Sequence, residues 1–275
     1  MKRRLFYVFG AASLMAVACL AWGFFIEPHR LTVRAVTVEA DVQVPLRIAV
    51  ISDLHAGGNT TFADDIRAAI EKSEPDLVLI AGDFIVGSEP ASERSEEENA
   101  AIGDALAPLR GLTAPRGVFA VMGNHDHWYG TREAEALIDT TAVQRIDNRI
   151  VEDDDICVVG LGDEWEGHPD LSVVGACPAG KTRIVLTHNP DTILRVKHGF
   201  HLAVAGHTHG GQINLPIVGR AVTATEAGKP YAYGLKQAPG GPLYITSGVG
   251  TSILPARFRA PPEVVIIDLR AANED

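Results

Sequence analysis

Arg47-Ile-Ala-Val-Ile-Ser52 runs directly into Asp53-Leu54-His55, and this stretch sets the pattern for the whole chain. Its four central residues are all apolar, which is typical of a buried β-strand. Two side chains that commonly bind metals, Asp53 and His55, stand where the strand ends. Open α/β folds place their binding sites at the carboxyl ends of strands. The stretch therefore predicts an α/β fold with polar ligands gathered at one sheet edge.

Four further segments repeat this arrangement of an apolar strand followed by ligand residues. The strands cover residues 77–81, 118–122, 183–187 and 201–205. The segments that follow them are Gly82-Asp83, Gly123-Asn124-His125-Asp126, His188 and Gly206-His207-Thr208-His209. Two Asp, one Asn and four His among these residues are enough to hold two divalent metals, and such a donor set suits Zn²⁺, Mn²⁺ or Fe better than Ca²⁺ or Mg²⁺. Two divalent metals held in this way most often hydrolyse phosphate esters.

The N-terminal segment is the apolar exception in an otherwise ordinary globular composition. The run from Leu5 to Ile26 has no charged side chain and is long enough to cross a bilayer core. Basic residues at positions 2–4 precede it, so the positive-inside rule predicts a cytoplasmic N-terminus and a domain on the extracytoplasmic side of a bacterial cell membrane. We interpret residues 1–30 as an uncleaved single-pass anchor. A cleaved signal peptide, including one of the twin-arginine type, and a lipoprotein site at Cys19 are the alternatives.

Residues 31–275 are predicted to form one domain. Strands alternate with helices in its first half, whereas its second half is richer in strands. The predicted elements include a strand over 36–44, helices over 62–73, 131–138 and 190–197, and two small strands within 143–151. The absence of a large insertion between the ligand segments predicts an open groove that admits bulky or lipid-bearing substrates.

The charge of this domain bears on its partners. After residue 30 there are 34 acidic and 20 basic residues, a formal charge of −14, which disfavours binding to nucleic-acid backbones. Divalent cations at the sheet edge would nonetheless attract phosphates locally. Cys157 and Cys177 could pair if the domain is exported, and neither belongs to a metal-type C-x-x-C motif. The oligomeric state is left open.

The motifs D-x-H, G-D, G-N-H-D, a lone His and G-H-x-H occur in this order, and as a set they resemble the calcineurin-like metallophosphoesterase family. The resemblance implies a four-layer α/β/β/α sandwich that hydrolyses phosphate esters with a hydroxide held between two metals. It implies that Asp53, His55 and His209 bind the first metal, that Asn124, His188 and His207 bind the second, and that Asp83 bridges them. His125 would then stabilise the transition state or protonate the leaving oxygen, with Asp126 orienting its ring.

The segments 206–213 and 244–263 are similar to a bacterial membrane-associated branch of that family. This branch includes envelope phosphodiesterases and a UDP-diacylglucosamine pyrophosphatase of lipid A synthesis. The similarity implies an envelope or lipid-linked substrate, with the pyrophosphatase as the alternative. That alternative conflicts with the predicted topology, because its UDP-linked substrate is cytoplasmic. Arg257 is expected either to reach a substrate phosphate or to form a structural salt bridge.

Two readings from other classes remain. One is a metal-stabilised scaffold without activity, which would have no need of a non-ligand residue such as His125. The other is a two-metal peptidase or amidase, which is disfavoured because the chain has neither an H-E-x-x-H motif nor a serine nucleophile elbow.

Overall fold

The computed structural model describes residues 2–58, 63–220 and 222–272. This part of the chain contains two six-stranded sheets, a two-stranded ribbon and five α-helices. The helices are α1 (Lys2–Ala21), α2 (Ala63–Lys72), α3 (Glu96–Leu106), α4 (Asn124–Ile138) and α5 (Pro190–Leu194). The strands of the first half are β1 (Thr32–Ala40), β2 (Leu46–Ile51), β3 (Leu77–Ala81), β4 (Val118–Val121), β5 (Gln144–Arg145), β6 (Arg149–Glu152) and β7 (Ile156–Gly160). The second half adds β8 (Thr182–Leu186), β9 (Leu202–Ala205), β10 (Asn214–Leu215), β11 (Gly219–Arg220), β12 (Gly234–Ala238), β13 (Gly241–Ile245) and β14 (Glu263–Ala271).

The first sheet has the strand order β1-β14-β2-β3-β4-β5. Strands β2, β3, β4 and β5 run parallel to one another, and β14 lies antiparallel to β2. Because β2, β3 and β4 point the same way, the chain leaves all three at the same edge. The segments that begin at Asp53, Asp83 and Asn124 therefore meet there.

The second sheet has the order β12-β13-β9-β8-β7-β6. Its four central strands are parallel, with antiparallel partners at both edges. Strand β8 ends before His188 and β9 ends before Gly206, which delivers the remaining ligand segments to one edge of this sheet as well.

The core lies between the two sheets and continues beneath the helices on either side. Along β2, Ile48 and Val50 belong to the layer between the sheets, whereas Ala49 and Ile51 pack under the helices of the first sheet. This alternation follows from the two-residue period of a strand that is covered on both faces. Helices α2, α3 and α4 cover the first sheet, and α5 with the short 3₁₀ segment Leu171–Ala176 covers the second. The predicted α/β/β/α sandwich is confirmed, with a thinner helical layer on the second sheet.

Strands β5 and β6 were predicted as a small pair, but they belong to different sheets. The chain crosses from one sheet to the other at Asp147-Asn148, and side-chain hydrogen bonds fix both sides of the crossing. Asp147 Oδ1 accepts from Met122 N–H (2.8 Å) beyond β4, and Asn148 Oδ1 accepts from Gly162 N–H (2.9 Å) beyond β7. Periodicity alone does not reveal such a crossing.

Several element boundaries also differ from the sequence prediction. The strand predicted over 36–44 covers Thr32–Ala40, and its partner β14 is the most distant strand in sequence. The helix predicted from Thr131 begins at Asn124 and is kinked at Gly130, whose φ of 129° is outside the helical region. The helix predicted over 62–73 covers Ala63–Lys72, and Phe62 lies outside the described residues.

The apolar N-terminal helix projects from the domain and is joined to it at one end. Residues Phe9–His29 are long and apolar enough to be a candidate membrane span, and most of their surface is exposed. At the end of this span, Arg257 N–H donates to Gly23 O (2.9 Å) and Ala260 N–H donates to Glu27 Oε1 (2.7 Å). The last turns of the helix are therefore packed against the C-terminal part of the domain.

Candidate metal centre

The side chains predicted to bind metals converge between the adjacent edges of the two sheets. Each of the seven is at most 6% exposed. Their positions follow from the strand ends: Asp53 and His55 after β2, Asp83 after β3, Asn124 at the start of α4, His188 after β8, and His207 and His209 after β9. Groups this polar are buried together only where something compensates for the lost water.

The first cluster contains Asp53, His55 and His209. The Nε2 atoms of His55 and His209 are 3.1 Å apart, and His209 Nε2 is 3.5 Å from Asp53 Oδ1. Asp83 Oδ2 lies 3.6 Å from His55 Nε2. Asp83 Oδ2 is therefore a fourth donor atom at this cluster.

The second cluster contains His188, His207 and the same oxygen of Asp83. His188 Nε2 is 3.2 Å from Asp83 Oδ2 and 3.1 Å from His207 Nδ1. Asn124 Oδ1 is buried and has no hydrogen-bond partner among the described residues, and the next residue, His125, donates its main-chain N–H to Asp83 Oδ1. An unpartnered buried amide oxygen costs free energy unless a ligand satisfies it.

These spacings fit two cations. Ligand atoms that lie about 2.0–2.2 Å from one ion are about 3–3.5 Å from each other. Both clusters have this spacing, and Asp83 Oδ2 belongs to both, as a bridging carboxylate requires. The described residues therefore fit a pair of divalent metals, with Asp83 between them.

Hydrogen bonds orient three of the ligands. His188 Nδ1 lies 2.7 Å from Ala81 O, so Nδ1 carries a proton and Nε2 points at Asp83. Asp83 Oδ1 accepts from His125 N–H (2.9 Å), which leaves Oδ2 for the cations. Asp53 accepts the main-chain N–H of His207 at 3.1 and 3.2 Å, so ligands from the two sheets also hold each other.

The backbone at the ligands is unusual. Five of them have a positive φ: Asp53 (53°), His55 (48°), Asp83 (53°), His207 (67°) and His209 (50°). Side chains other than glycine rarely adopt this region, and such strain is concentrated at functional sites. Gly82 is required next to them, because a Cβ there would lie 2.7 Å from His188 Nδ1. The site is thus built at the expense of local backbone stability.

The pKa values show how the cluster is charged without its cations. Burial lowers the pKa of His188, but the negative charge of Asp83 outweighs it and raises that pKa to about 10. Burial raises the pKa of Asp83, and the His188 charge more than reverses this, so the carboxylate stays ionised. Burial lowers the pKa of His55 and His207 to about 3, which keeps both rings neutral. A cation that binds here must displace the proton of His188, because metals bind neutral imidazole.

His125 lies at the margin of the ligand cluster. Its ring is 4.6 Å from the ring of His55 and 4.8 Å from that of Trp128, centroid to centroid. Burial lowers the pKa of His125, so the ring is neutral near pH 7, and its Nδ1 has no partner among the described residues. The ring therefore has a free polar edge beside the proposed cations.

Asp126 does not orient His125, contrary to the sequence expectation. Asp126 is fully buried, and its two oxygens accept from Ile85 N–H (3.0 Å) and Gly123 N–H (2.9 Å). Burial raises the pKa of Asp126 to about 8. Its carboxyl group joins the two ligand-bearing loops that follow β3 and β4, which is a structural task.

Arg257 does not reach a substrate either, and it forms no salt bridge among the described residues. Its side chain is fully buried. The guanidinium donates instead to main-chain carbonyl oxygens, those of Ser247 (2.9 Å), Gly248 (3.2 Å), Ala260 (2.8 Å) and Gly250. Arg257 thus holds the loop after β13, whose Gly248 packs against Asp53.

We expect Arg257→Met to lower the free energy of unfolding by about 3 kcal/mol or more, because four buried carbonyls lose a charged donor. The matched control is Arg47→Met, which removes a half-exposed guanidinium paired with Asp268 and should leave the melting temperature nearly unchanged. Thermal melting of the full chain measures both. Equal melting temperatures for the two variants would contradict the structural role of Arg257.

Two tryptophans frame the opening of the site. Trp165 is half-exposed, and its ring meets His207 edge-on at 4.5 Å. The ring of Trp128 stacks with that of Trp165, with 6.2 Å between the ring centroids. Asp163 fixes the loop of Trp165 by accepting from Trp165 N–H (2.8 Å). Sequence reasoning missed Trp165 because it lies in a loop without a motif.

Comparison with known proteins places this site in a family. A sequence model of the calcineurin-like phosphoesterases matches residues 46–211, which include all seven side chains predicted to bind metals. The chain belongs to the calcineurin-like phosphoesterase family. It is accordingly a phosphoric ester hydrolase, and its Asp/His clusters are suited to binding metal ions.

Relatives in this family match nearly the whole chain. The uncharacterized metallophosphoesterase YkuE of Bacillus subtilis is 30% identical over 285 residues, 98% of this chain and 96% of YkuE. Phosphodiesterase YaeI of Escherichia coli is 30% identical over 98% of this chain and 99% of its own length. UDP-2,3-diacylglucosamine pyrophosphatase LpxG of Chlamydia muridarum is 26% identical over 95% of this chain and 98% of LpxG. The similarity therefore includes the N-terminal and C-terminal segments that lie outside 46–211.

Proposed function

We propose that this protein is a two-metal phosphodiesterase, anchored in the cell membrane by residues 1–30, that hydrolyses a phosphate ester of an envelope or lipid-linked compound. The observation that carries the proposal is the shared position of Asp83 Oδ2, within 3.6 Å of His55 Nε2 and 3.2 Å of His188 Nε2. A carboxylate between two histidine clusters is what a pair of cations needs. The family and the phosphodiesterase YaeI support the reaction class.

Different residues would bind each cation and assist the reaction. Asp53, His55 and His209 would hold one cation, Asn124, His188 and His207 the other, and Asp83 both. Bound Mn²⁺, Zn²⁺ or Fe would supply activation of water near neutral pH and charge neutralisation for the phosphate. His125 offers a hydrogen-bond donor beside the cluster, which can stabilise charge on a phosphoryl or leaving oxygen.

Two observations support an extracytoplasmic domain. Basic residues 2–4 precede the candidate span, as expected for a cytoplasmic N-terminus. Cys157 and Cys177 form a disulfide with Cα atoms 5.9 Å apart, joining β7 to the loop before β8. Disulfides persist in oxidising compartments. A reporter enzyme that functions only outside the cytoplasm should therefore be active when it is fused after Asp275. Activity of a reporter that functions only in the cytoplasm would contradict this topology.

The alternative substrate is a UDP-linked diacylglucosamine, by analogy with the relative LpxG. The stacked pair Trp128 and Trp165 offers aromatic faces at the opening of the site, which suits a planar or sugar ring. This alternative requires access to the cytoplasm, so the same topology reporter separates the two readings.

The direct test is hydrolysis by the purified full chain in detergent micelles. The panel contains an aryl phosphodiester, an aryl phosphomonoester, a phospholipid and a nucleoside diphosphate sugar, each with and without a chelator. We expect metal-dependent turnover that is fastest with the diesters and abolished by the chelator. Two bound metals without hydrolysis of any of the four would favour a non-catalytic scaffold. Preferred cleavage of the diphosphate would favour the pyrophosphatase.

A further inference from the structure

Two exposed apolar tips lie in the part of the chain after His209, the last proposed metal ligand in the sequence. The hairpin tip is Leu215-Pro216-Ile217-Val218, between β10 and β11, and the loop tip is Ile253-Leu254-Pro255. Ile217 is 108% exposed and Ile253 is 98% exposed, relative to a free side chain. Scattered apolar residues on a surface are ordinary, but two adjacent clusters of this kind mark an interaction site.

The two tips form one surface because Gln212 holds them together. Its Nε2 donates to Leu254 O (2.6 Å), and its Oε1 accepts from Ser252 N–H (3.0 Å). Asn214 N–H donates to Phe258 O (2.8 Å), which fixes the hairpin to the strand-like end of the loop. Gln212 N–H also donates to His209 O (2.9 Å), so this surface is continuous with a proposed metal ligand.

The same surface adjoins the end of the apolar N-terminal helix. Arg257 N–H donates to Gly23 O (2.9 Å), and a Cβ on Gly23 would lie 3.8 Å from the Phe258 side chain. Ile253 precedes Arg257 by four residues, so the loop tip is at most about 14 Å along the chain from that contact. The two tips and the end of the helix are thus neighbours.

The depth of Gly23 in the bilayer determines how deep the two tips lie, because the loop packs against Gly23. The uncharged run continues to Ile26, three residues beyond Gly23, or about 4–5 Å along a helix. If the run spans a bilayer core, Gly23 is inside the boundary between acyl chains and headgroups. A loop that packs against Gly23 must then meet the same boundary.

Backbone and charge agree with a contact to lipid. Ile217 and Ile253 have φ values of 71° and 60°, which are unfavourable for β-branched side chains, and neither gains packing within the domain. Cationic groups flank the tips: Lys229 Nζ donates to Val218 O (3.2 Å), and Arg259 is exposed after the loop. Apolar side chains with flanking Lys and Arg are typical of membrane interfaces, and they are present here on a domain of strongly negative charge.

We propose that the hairpin tip and the loop tip insert into the membrane interface beside the anchor helix and hold the metal centre at headgroup depth. The occupant of this apolar surface is a lipid bilayer with anionic headgroups. The inference rests on the membrane anchor of the proposed function and is independent of hydrolysis. It implies that substrate phosphates are presented at the bilayer surface, where lipid-linked esters carry them.

The test measures depth directly in the full chain. A Cys19→Ser background removes the free thiol, and the Cys157–Cys177 disulfide is kept. Single variants Ile217→Cys and Ile253→Cys receive an environment-sensitive fluorophore and are reconstituted into vesicles of phosphatidylcholine and phosphatidylglycerol. The matched control is Lys72→Cys, an exposed residue before β3 and so at the opposite sheet edge from the metal ligands.

We expect labels at 217 and 253 to emit at shorter wavelength and to be quenched by bromolipids several-fold more than the label at 72. Equal emission and quenching at all three positions would overturn the inference. A shift that disappears as the protein is diluted in lipid would assign the surface to a second copy of the chain and would also overturn it. Because the readout needs no turnover, an inactive protein whose tips insert would refute the proposed function and leave this inference standing.

Discussion

Asp83→Ala should lower the hydrolysis of a phosphodiester by at least about 10³-fold. Removal of one preorganised electrostatic contact in an active site costs about 10²–10³ in turnover, and Asp83 contributes to both clusters at once. Without it, neither cation keeps its full ligand set, and His188 loses the charge that raises its pKa to about 10. Turnover of an aryl phosphodiester by the full chain, with metal in excess, measures the effect.

The matched control is Asp104→Ala on the exposed face of α3, for which we expect unchanged turnover. Circular dichroism establishes that each variant is folded. Should Asp83→Ala fail to fold, the isosteric Asp83→Asn keeps the volume of the side chain and one oxygen that can accept from His125 N–H, while it removes the charge. Wild-type turnover in either folded Asp83 variant would refute the bridging role.

His125→Ala should lower turnover by about 10²–10⁴-fold, the usual contribution of a positioned acid–base group. The substrate that loses more activity identifies the role of His125. If His125 assists the leaving oxygen, the loss should be greater for a diester with an alkyl leaving group than for one with a nitrophenyl group, which needs little assistance. Rates for the two substrates, measured as kcat/KM, separate leaving-group assistance from stabilisation of the phosphoryl oxygens.

His127→Ala is the matched control, since His127 is two residues along the same helix and its Nδ1 contacts Thr131 rather than the ligand cluster. We expect the His127 variant to keep most of its activity. A His125 variant that hydrolyses both substrates at the wild-type rate would show that this ring takes no part in the reaction.

The convergence of the proposed metal ligands is the part of the molecule that sequence predicts best. Each of the apolar strands β2, β3, β8 and β9 ends at a ligand segment, and parallel strands must bring such segments to the same edge. The sequence therefore indicated which residues meet, and the structure brings all seven together. The donors also indicated divalent cations, because Asp, Asn and His side chains have few other reasons to be buried together.

The roles of Asp126 and Arg257 were wrong because sequence gives the identity of a side chain and not its direction. Asp126 follows His125 immediately, yet on a helix adjacent residues face different ways, and its oxygens reach Ile85 and Gly123. Arg257 suits a phosphate as well as a set of carbonyls on chemical grounds. Only its complete burial decides between them.

The sequence did not predict the contacts between residues that are far apart along the chain. Strand β1 pairs with β14, about 230 residues away, and β5 and β6 separate into different sheets although only three residues lie between them. Trp165 approaches His207 from a loop of another strand connection. Such pairings are decided by how two sheets stack, which a local hydrophobic period does not encode.

Seven buried side chains are proposed to hold two cations, one on either side of Asp83. Elemental analysis of the purified full chain, after removal of loosely bound ions, tests this proposal most directly. The account predicts about two equivalents of Mn, Zn or Fe per chain, reduced in the Asp83→Ala variant. A wild-type protein that is active with one equivalent, or with none, would contradict it.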